Sequence, residues 1–313
     1  MHVAQVGIGR VGRPTAYAIM NTNLVDTLTV CDTKPGLASA FAEELRHVNA
    51  STGANVEVIS CDKDEQVAGA DIILISAGKA RPAGVKMSRR DLAVENARIV
   101  KTIAEATVHR NPGAKYIVIT NPVDAMGMVC KKYTKAEYVI STGTNLESLR
   151  FRAKIAQSLR VPVSQVQGWV GGEHGDAAVP LWSTTKVGSI QIEEYSQKNG
   201  LAFSKLEIES YVKAVSKIIV DNIGATEFGP AASFRDITRA VIEDTRQVLS
   251  VAAPFKEDAD ETFVGIPRPL GKTVEPSIYN VLTTEEQQGI RAAAKAIRQT
   301  YELATENLSK IAL

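Results

Sequence analysis

A chain of 313 residues, 44% hydrophobic and 23% charged, can bury about three quarters of its unfolded surface, which excludes a disordered or low-complexity protein. Thirty-six lysines and arginines against 35 aspartates and glutamates leave a formal charge of +1. With no long block of one sign, neither nucleic acid nor an anionic membrane is an expected partner.

The apolar start, Met1 to Ile8, runs into Gly7, Gly9 and Gly12 without a cleavage-site pattern, so it does not read as a signal peptide. No apolar run approaches the roughly 18 residues of a membrane span. Cys31, Cys61 and Cys130 are widely spaced, match no zinc pattern and suit a reducing compartment. A cytoplasmic protein without metal is expected.

Val3–Ile8, Leu28–Cys31, Val56–Ile59, Ile72–Ser76, Tyr116–Thr120 and Tyr138–Ile140 read as strands, several of them apolar throughout. Arg13–Met20, Leu37–Val48, Arg90–Arg110 and Ala125–Lys132 read as helices between them. Such alternation predicts a doubly wound parallel sheet. Beyond it, helices are expected at Leu146–Leu159, Leu201–Ile223 and Thr284–Leu308, with antiparallel strands at Gln247–Ala252, Thr262–Pro267 and Gly271–Val274. The predicted fold class is therefore α/β: a Rossmann-type domain over 1–144, then an α+β domain over 145–313.

Gly7-Ile8-Gly9-Arg10-Val11-Gly12 follows a predicted strand and opens a helix. Gly7 permits a tight turn, Gly9 lets backbone approach a pyrophosphate, and Gly12 lets helix and strand pack closely. The helix N-terminus then holds the phosphates. Asp32 ends the second strand, 20 residues past Gly12, where an acid hydrogen-bonds an adenosine ribose. Its charge opposes a 2′-phosphate, which favours NAD over NADP, although Lys34 lies close by.

A second constellation surrounds His174, in Gly171-Gly172-Glu173-His174-Gly175-Asp176. Glu147 and Arg150 share a helix face three residues apart, and Asn121-Pro122-Val123-Asp124 follows a strand at the sheet's carboxyl edge. Arg81 and Arg89 lie in the polar segment after another strand. Thr144-Asn145-Leu146-Glu147 also matches a capping box, in which Glu147 would serve only the helix backbone. Arg81 and Arg89 can equally be read as solvated loop charges. His2, His47 and His109 read as ordinary surface or core residues.

Together, GIGRVG, SAGKARPAGVKMSRRDL, ITNPVD, TNLESLRFR and GEHGD resemble the NAD-dependent lactate/malate dehydrogenases, in order and approximate spacing, over essentially the whole chain. The resemblance implies that His174 donates and accepts the proton, with Glu147 orienting it. Arg150 grips the substrate carboxylate, and Arg89 polarises the carbonyl from a closing loop. It places Asn121 at the carbonyl and nicotinamide, Thr226 at the pocket wall, and Arg10, Val11, Ala77, Gly78, Asn96 and Thr120 at the cofactor. Arg81 stands where glutamine marks a lactate enzyme and arginine a malate enzyme, so malate and oxaloacetate are the expected substrates. The alternatives are lactate dehydrogenase on the same scaffold and a non-catalytic NAD-binding protein.

Two departures stand out. The family usually has aspartate where Glu147 stands, and the segment between Arg81 and Arg89 is about two residues longer, around Val85-Lys86, which leaves Arg90 as the competing carbonyl-polarising residue. A homodimer or homotetramer is also implied, with Leu37–Val48 and Leu201–Ile223 as candidate interface helices, although core burial accounts equally well for their apolar stripes.

Overall fold

Six short strands, all but the third followed by an α-helix, build the first half of the chain. The computed structural model describes residues 1–79, 89–257, 260–306 and 308. Strands β1 (His2–Val6), β2 (Thr27–Cys31), β3 (Glu57–Cys61), β4 (Ile72–Ile75), β5 (Lys115–Val118) and β6 (Val139–Ser141) pair in parallel in the order β3-β2-β1-β4-β5-β6. This is the doubly wound order whose direction reverses between β1 and β4, leaving a crevice at their carboxyl ends.

Alternation along the strands feeds two cores. Ala4, Val6, Ile73 and Ile75 face one layer, with α3 (Arg89–Val108), α4 (Val123–Thr134) and α9 (Thr284–Thr305). Val3, Ile72 and Leu74 face the other, with α1 (Gly12–Met20), α2 (Leu37–Thr52) and α8 (Phe228–Glu243). Strands covered on both faces need no polar side, and all four residues of β4 are buried.

The sheet continues beyond β6. Strands β12 (Gln247–Glu257) and β13 (Asp260–Leu270) form a long antiparallel hairpin, followed by β8 (Val170–Gly172) and β9 (Ala178–Pro180). A ten-stranded mixed sheet results among the described residues. The expected change of domain falls between β6 and α5 (Asn145–Leu159). A separate small sheet joins β7 (Val166–Gln167), β10 (Lys186–Val187) and β11 (Ile190–Gln191).

Several expectations need correction. β1 stops at Val6, because Gly7 turns with φ +87°. The expected helix Leu201–Ile223 begins only at Lys205, as α7 (Lys205–Ile223), where Ser204 accepts the Glu207 N–H at 3.2 Å. A short helix α6 (Ile192–Lys198) precedes it. Helix α8 was not anticipated, and Gly271–Val274 forms no strand, only a single bridge from Leu270 to Val274. No helix among the described residues is long and apolar enough to cross a membrane.

Candidate functional site

The glycine-rich turn at the β1–α1 junction is fixed from below before any ligand arrives. The Gly7 carbonyl accepts hydrogen bonds from Gln5 Nε2 at 3.1 Å and Ser76 Oγ at 2.7 Å, and Gln5 also donates to Ser76 at 2.8 Å. A Cβ on Gly7 would collide with the Ala77 backbone, and one on Gly12 with the Gly7 carbonyl. Gly9, by contrast, has nothing within 4 Å of where a Cβ would stand, so ligand atoms can approach its backbone.

Asp32 follows β2 beside this turn. Its carboxylate accepts the Ile8 N–H at 3.1 Å and the Lys34 N–H at 3.0 Å. A cleft of about 460 Å³ opens here, lined by Gly7, Gly9, Asp32, Ala77, Gly78 and Arg98 among others. The open backbone, the acid and the helix N-terminus fit a dinucleotide.

Asn96 and Thr120, which the resemblance places at the cofactor, are tied to backbone around the cleft. Both are buried. Asn96 accepts the Lys79 N–H at 2.7 Å and donates to the Asn121 carbonyl at 2.7 Å, so it ties the segments following β4 and β5 together. Thr120 Oγ1 donates to the Ala77 carbonyl at 2.7 Å. Their polar atoms are engaged on backbone at the crevice floor.

The second cluster assembles at the carboxyl end of β6. Glu147 and Arg150 stand on the first turns of α5 and form an ion pair at 3.2 Å, both largely buried. The other Glu147 oxygen lies 3.0 Å from His174 Nδ1. The Thr144 side chain does not cap the helix. It donates to the Val170 carbonyl at 2.6 Å, so the capping-box reading fails and Glu147 turns to the histidine.

His174 sits in the turn between β8 and β9. Its backbone N–H donates to Asp124 Oδ2 at 2.9 Å, which anchors that turn to the start of α4. Asp124 is the site residue that escaped sequence reasoning. It ends the Asn121-Pro122-Val123-Asp124 motif, and the only signal is an acid in the first turn of a helix that proves to be buried. Gln5 was likewise missed, as the one polar side chain within an otherwise apolar β1 interior.

The charges of this cluster reinforce one another. The Glu147 carboxylate pushes the His174 imidazole up to about 9, against the opposing effect of burial. Burial raises Glu147, but the charges of His174 and Arg150 outweigh it and hold the carboxyl below its ordinary value. An ionised carboxylate only accepts, so Nδ1 carries the proton of the neutral ring and Nε2 is left with its lone pair.

Other expected site residues are placed as follows. Asn121 follows β5 at the same sheet edge, and its peptide bond to Pro122 is cis. Thr226 is half-buried in the link between α7 and α8. Arg10 reaches that link, with Nη1 2.7 Å from where a Cβ on Gly224 would stand. Val11 ends the glycine-rich turn beside Gly12. Arg81 and Val85-Lys86 lie outside the described residues, and so do the side chains of Arg89 and Arg90. The three cysteines are free and buried, and no group of metal-ligating side chains occurs among the described residues.

The chain is similar to known proteins over both halves. Residues 1–139 match the NAD binding domain of lactate/malate dehydrogenases, and residues 144–308 match their alpha/beta C-terminal domain. The malate dehydrogenase of Sulfurisphaera tokodaii is 38% identical over 99% of this chain and 97% of its own. The L-lactate dehydrogenase of Thermus aquaticus is 33% identical over 95% and 97%. The crystal structure of Plasmodium falciparum malate dehydrogenase superposes with a TM-score of 0.90 at 26% identity, covering 98% of this chain and 99% of that one. A Salinibacter ruber malate dehydrogenase gives 0.88 at 26% identity, over 99% of both. The chain belongs to the lactate/malate dehydrogenase family of NAD-dependent oxidoreductases.

Proposed function

We propose that this protein interconverts (S)-malate and oxaloacetate, with His174 as the proton carrier. The observation that carries the reading is one carboxylate shared by two groups: Glu147 binds His174 Nδ1 at 3.0 Å and Arg150 at 3.2 Å. That carboxylate fixes the tautomer, so Nε2 can take the hydroxyl proton of malate while the C2 hydrogen leaves with its electron pair and a carbonyl forms. NAD, when bound, supplies the hydride acceptor. In reverse, the imidazolium returns the proton to the alkoxide oxygen.

Arg150 presents a planar fork that matches a carboxylate bidentately and sets the orientation of the substrate. Arg81, by the family resemblance, meets the second carboxylate of a dicarboxylic acid. With pyruvate bound it would be desolvated and unpaired, a cost of about 3–5 kcal/mol. Arg89 polarises the carbonyl. Gly7, Gly9, Arg10, Val11, Gly12, Ala77 and Gly78 hold the dinucleotide, with Asn96 and Thr120 bracing them. Asn121 and Thr226 border the substrate. Asp32 selects NAD over NADP by excluding a 2′-phosphate.

We place the domain change at 144/145 and the protein in the cytoplasm, where three thiols stay reduced. The exposed apolar side chains of α7, Leu206, Ile218 and Ile223, support a homo-oligomer. Steady-state kinetics with oxaloacetate and pyruvate, each with NADH and NADPH, test the assignment. Oxaloacetate with NADH is expected to dominate, and preferred turnover of pyruvate overturns it in favour of lactate dehydrogenase.

A further inference from the structure

We propose that Asp124 is a second positioning carboxylate for the proton relay, which seats His174 through its backbone and places a further negative charge near the imidazole. The inference rests on the reading of His174 as proton carrier.

Asp124 is 3% exposed, in the first turn of α4. Its two oxygens divide their work. Oδ2 accepts the His174 backbone N–H at 2.9 Å, and Oδ1 accepts the Ser141 hydroxyl at 3.2 Å. Ser141 is fully buried at the end of β6. One side chain therefore joins three segments that approach the site from different directions: the strand end before α5, the helix after Asn121, and the turn carrying His174. A buried hydroxyl and one amide are modest compensation for a desolvated carboxylate, and a neutral asparagine would satisfy the same two partners. The charge itself thus needs a role, and the neighbouring imidazole provides one.

Glu147 and Arg150 approach His174 from α5, and Glu173 and Asp176 share its turn, Glu173 opposing ionisation of Asp124. Burial raises the Asp124 carboxyl to about 7, with the His174 N–H and the imidazolium charge pulling the other way. Reciprocally, Asp124 adds to the effect of Glu147 in raising His174. Protonation at the two sites is therefore coupled.

The Asp124→Asn variant separates charge from scaffolding, because its amide oxygen can accept the His174 N–H and its NH₂ can donate to Ser141. Titration of the His174 imidazole by NMR in cofactor-free protein, assigned by loss of the signal in His174→Asn, reads the coupling without turnover. The imidazole is expected to titrate lower in Asp124→Asn, by about one pH unit or somewhat less. The limbs of the kcat/KM profiles for oxaloacetate reduction and malate oxidation should move in the same direction, with Asp124→Glu restoring part of the shift. Coincident titrations in folded wild type and variant overturn the proposal.

Should Asp124→Asn fail to fold, the reciprocal measurement decides. The Asp124 carboxyl, followed by carbon NMR, should titrate higher in His174→Asn than in wild type, because the imidazolium is gone while the backbone N–H remains. An unchanged carboxyl titration overturns the coupling. Turnover that survives in His174→Asn would instead refute the function on which the inference rests.

Discussion

Glu147 and His174 meet at 3.0 Å across 27 residues of chain, and the same carboxylate accepts from Arg150, one turn further along its own helix. Glutamate is one methylene longer than the aspartate usual in the family at this position. Glu147→Gln keeps the shape and removes the charge. Its kcat for oxaloacetate reduction is expected to fall on the order of 10²-fold or more. Glu147→Asp should lie between the two. Full activity in that variant would show that the reach of glutamate is not needed.

The sign of the pH dependence follows from the same pair. His174 titrates upward, to about 9, because of Glu147, so the proton needed for oxaloacetate reduction is present below that pH and lost above it. Reduction should decline about tenfold per unit once pH passes that value, while malate oxidation gains. A raised imidazole also stabilises the fold fully below its ordinary value, and that contribution fades as pH rises toward about 9. Glu147 is held low, so its contribution is present at neutral pH and fades as pH falls below the carboxylate range. Thermal unfolding of wild type and His174→Asn across pH 6 to 9.5, roughly the span between ordinary and raised imidazole values, should converge at the alkaline end.

Arg150 carries the substrate carboxylate in the proposed reaction. Arg150→Lys retains the charge and loses the planar fork, and kcat/KM for oxaloacetate should drop on the order of 10²- to 10³-fold. Activity near wild type would place the carboxylate elsewhere.

Arg81 is assigned on the sequence. Arg81→Gln should shift the oxaloacetate-to-pyruvate ratio of kcat/KM toward pyruvate by roughly 10²-fold or more. An unchanged ratio refutes the role.

Gly12 carries a purely steric requirement. A Cβ there would overlap the Gly7 carbonyl and stand 2.8 Å from Ser76 Oγ. Gly12→Ala should cost about 1–3 kcal/mol of stability and weaken NADH binding, as read by thermal unfolding and by fluorescence titration. Unaltered affinity would separate the turn from the cofactor.

The doubly wound half was legible because its strands are buried on both faces and its glycines fall where the chain must turn. The second half was less so, for identifiable reasons. Helix α8 opens Phe228-Gly229-Pro230, and glycine and proline ordinarily punctuate loops, yet a proline in the first helical turn gives up no bond the helix could have made. The β12–β13 hairpin contains Pro254, Pro267 and Pro269, which made two eleven-residue strands look like fragments. At the site, His174, Glu147 and Arg150 were legible as types and spacing. The supports beneath them were not, because Asp124, Ser141 and Gln5 act through buried hydrogen bonds that bring distant segments together.

Ser141 and Ala252 pair across the seam where the parallel strands give way to antiparallel ones. The sheet crosses that seam without a gap, so the half holding the glycine-rich turn and the half holding His174 are not hinged blocks. Swinging them apart would tear backbone pairing out of a dry interior. The span over which a hydride must travel is accordingly laid down as the polypeptide folds.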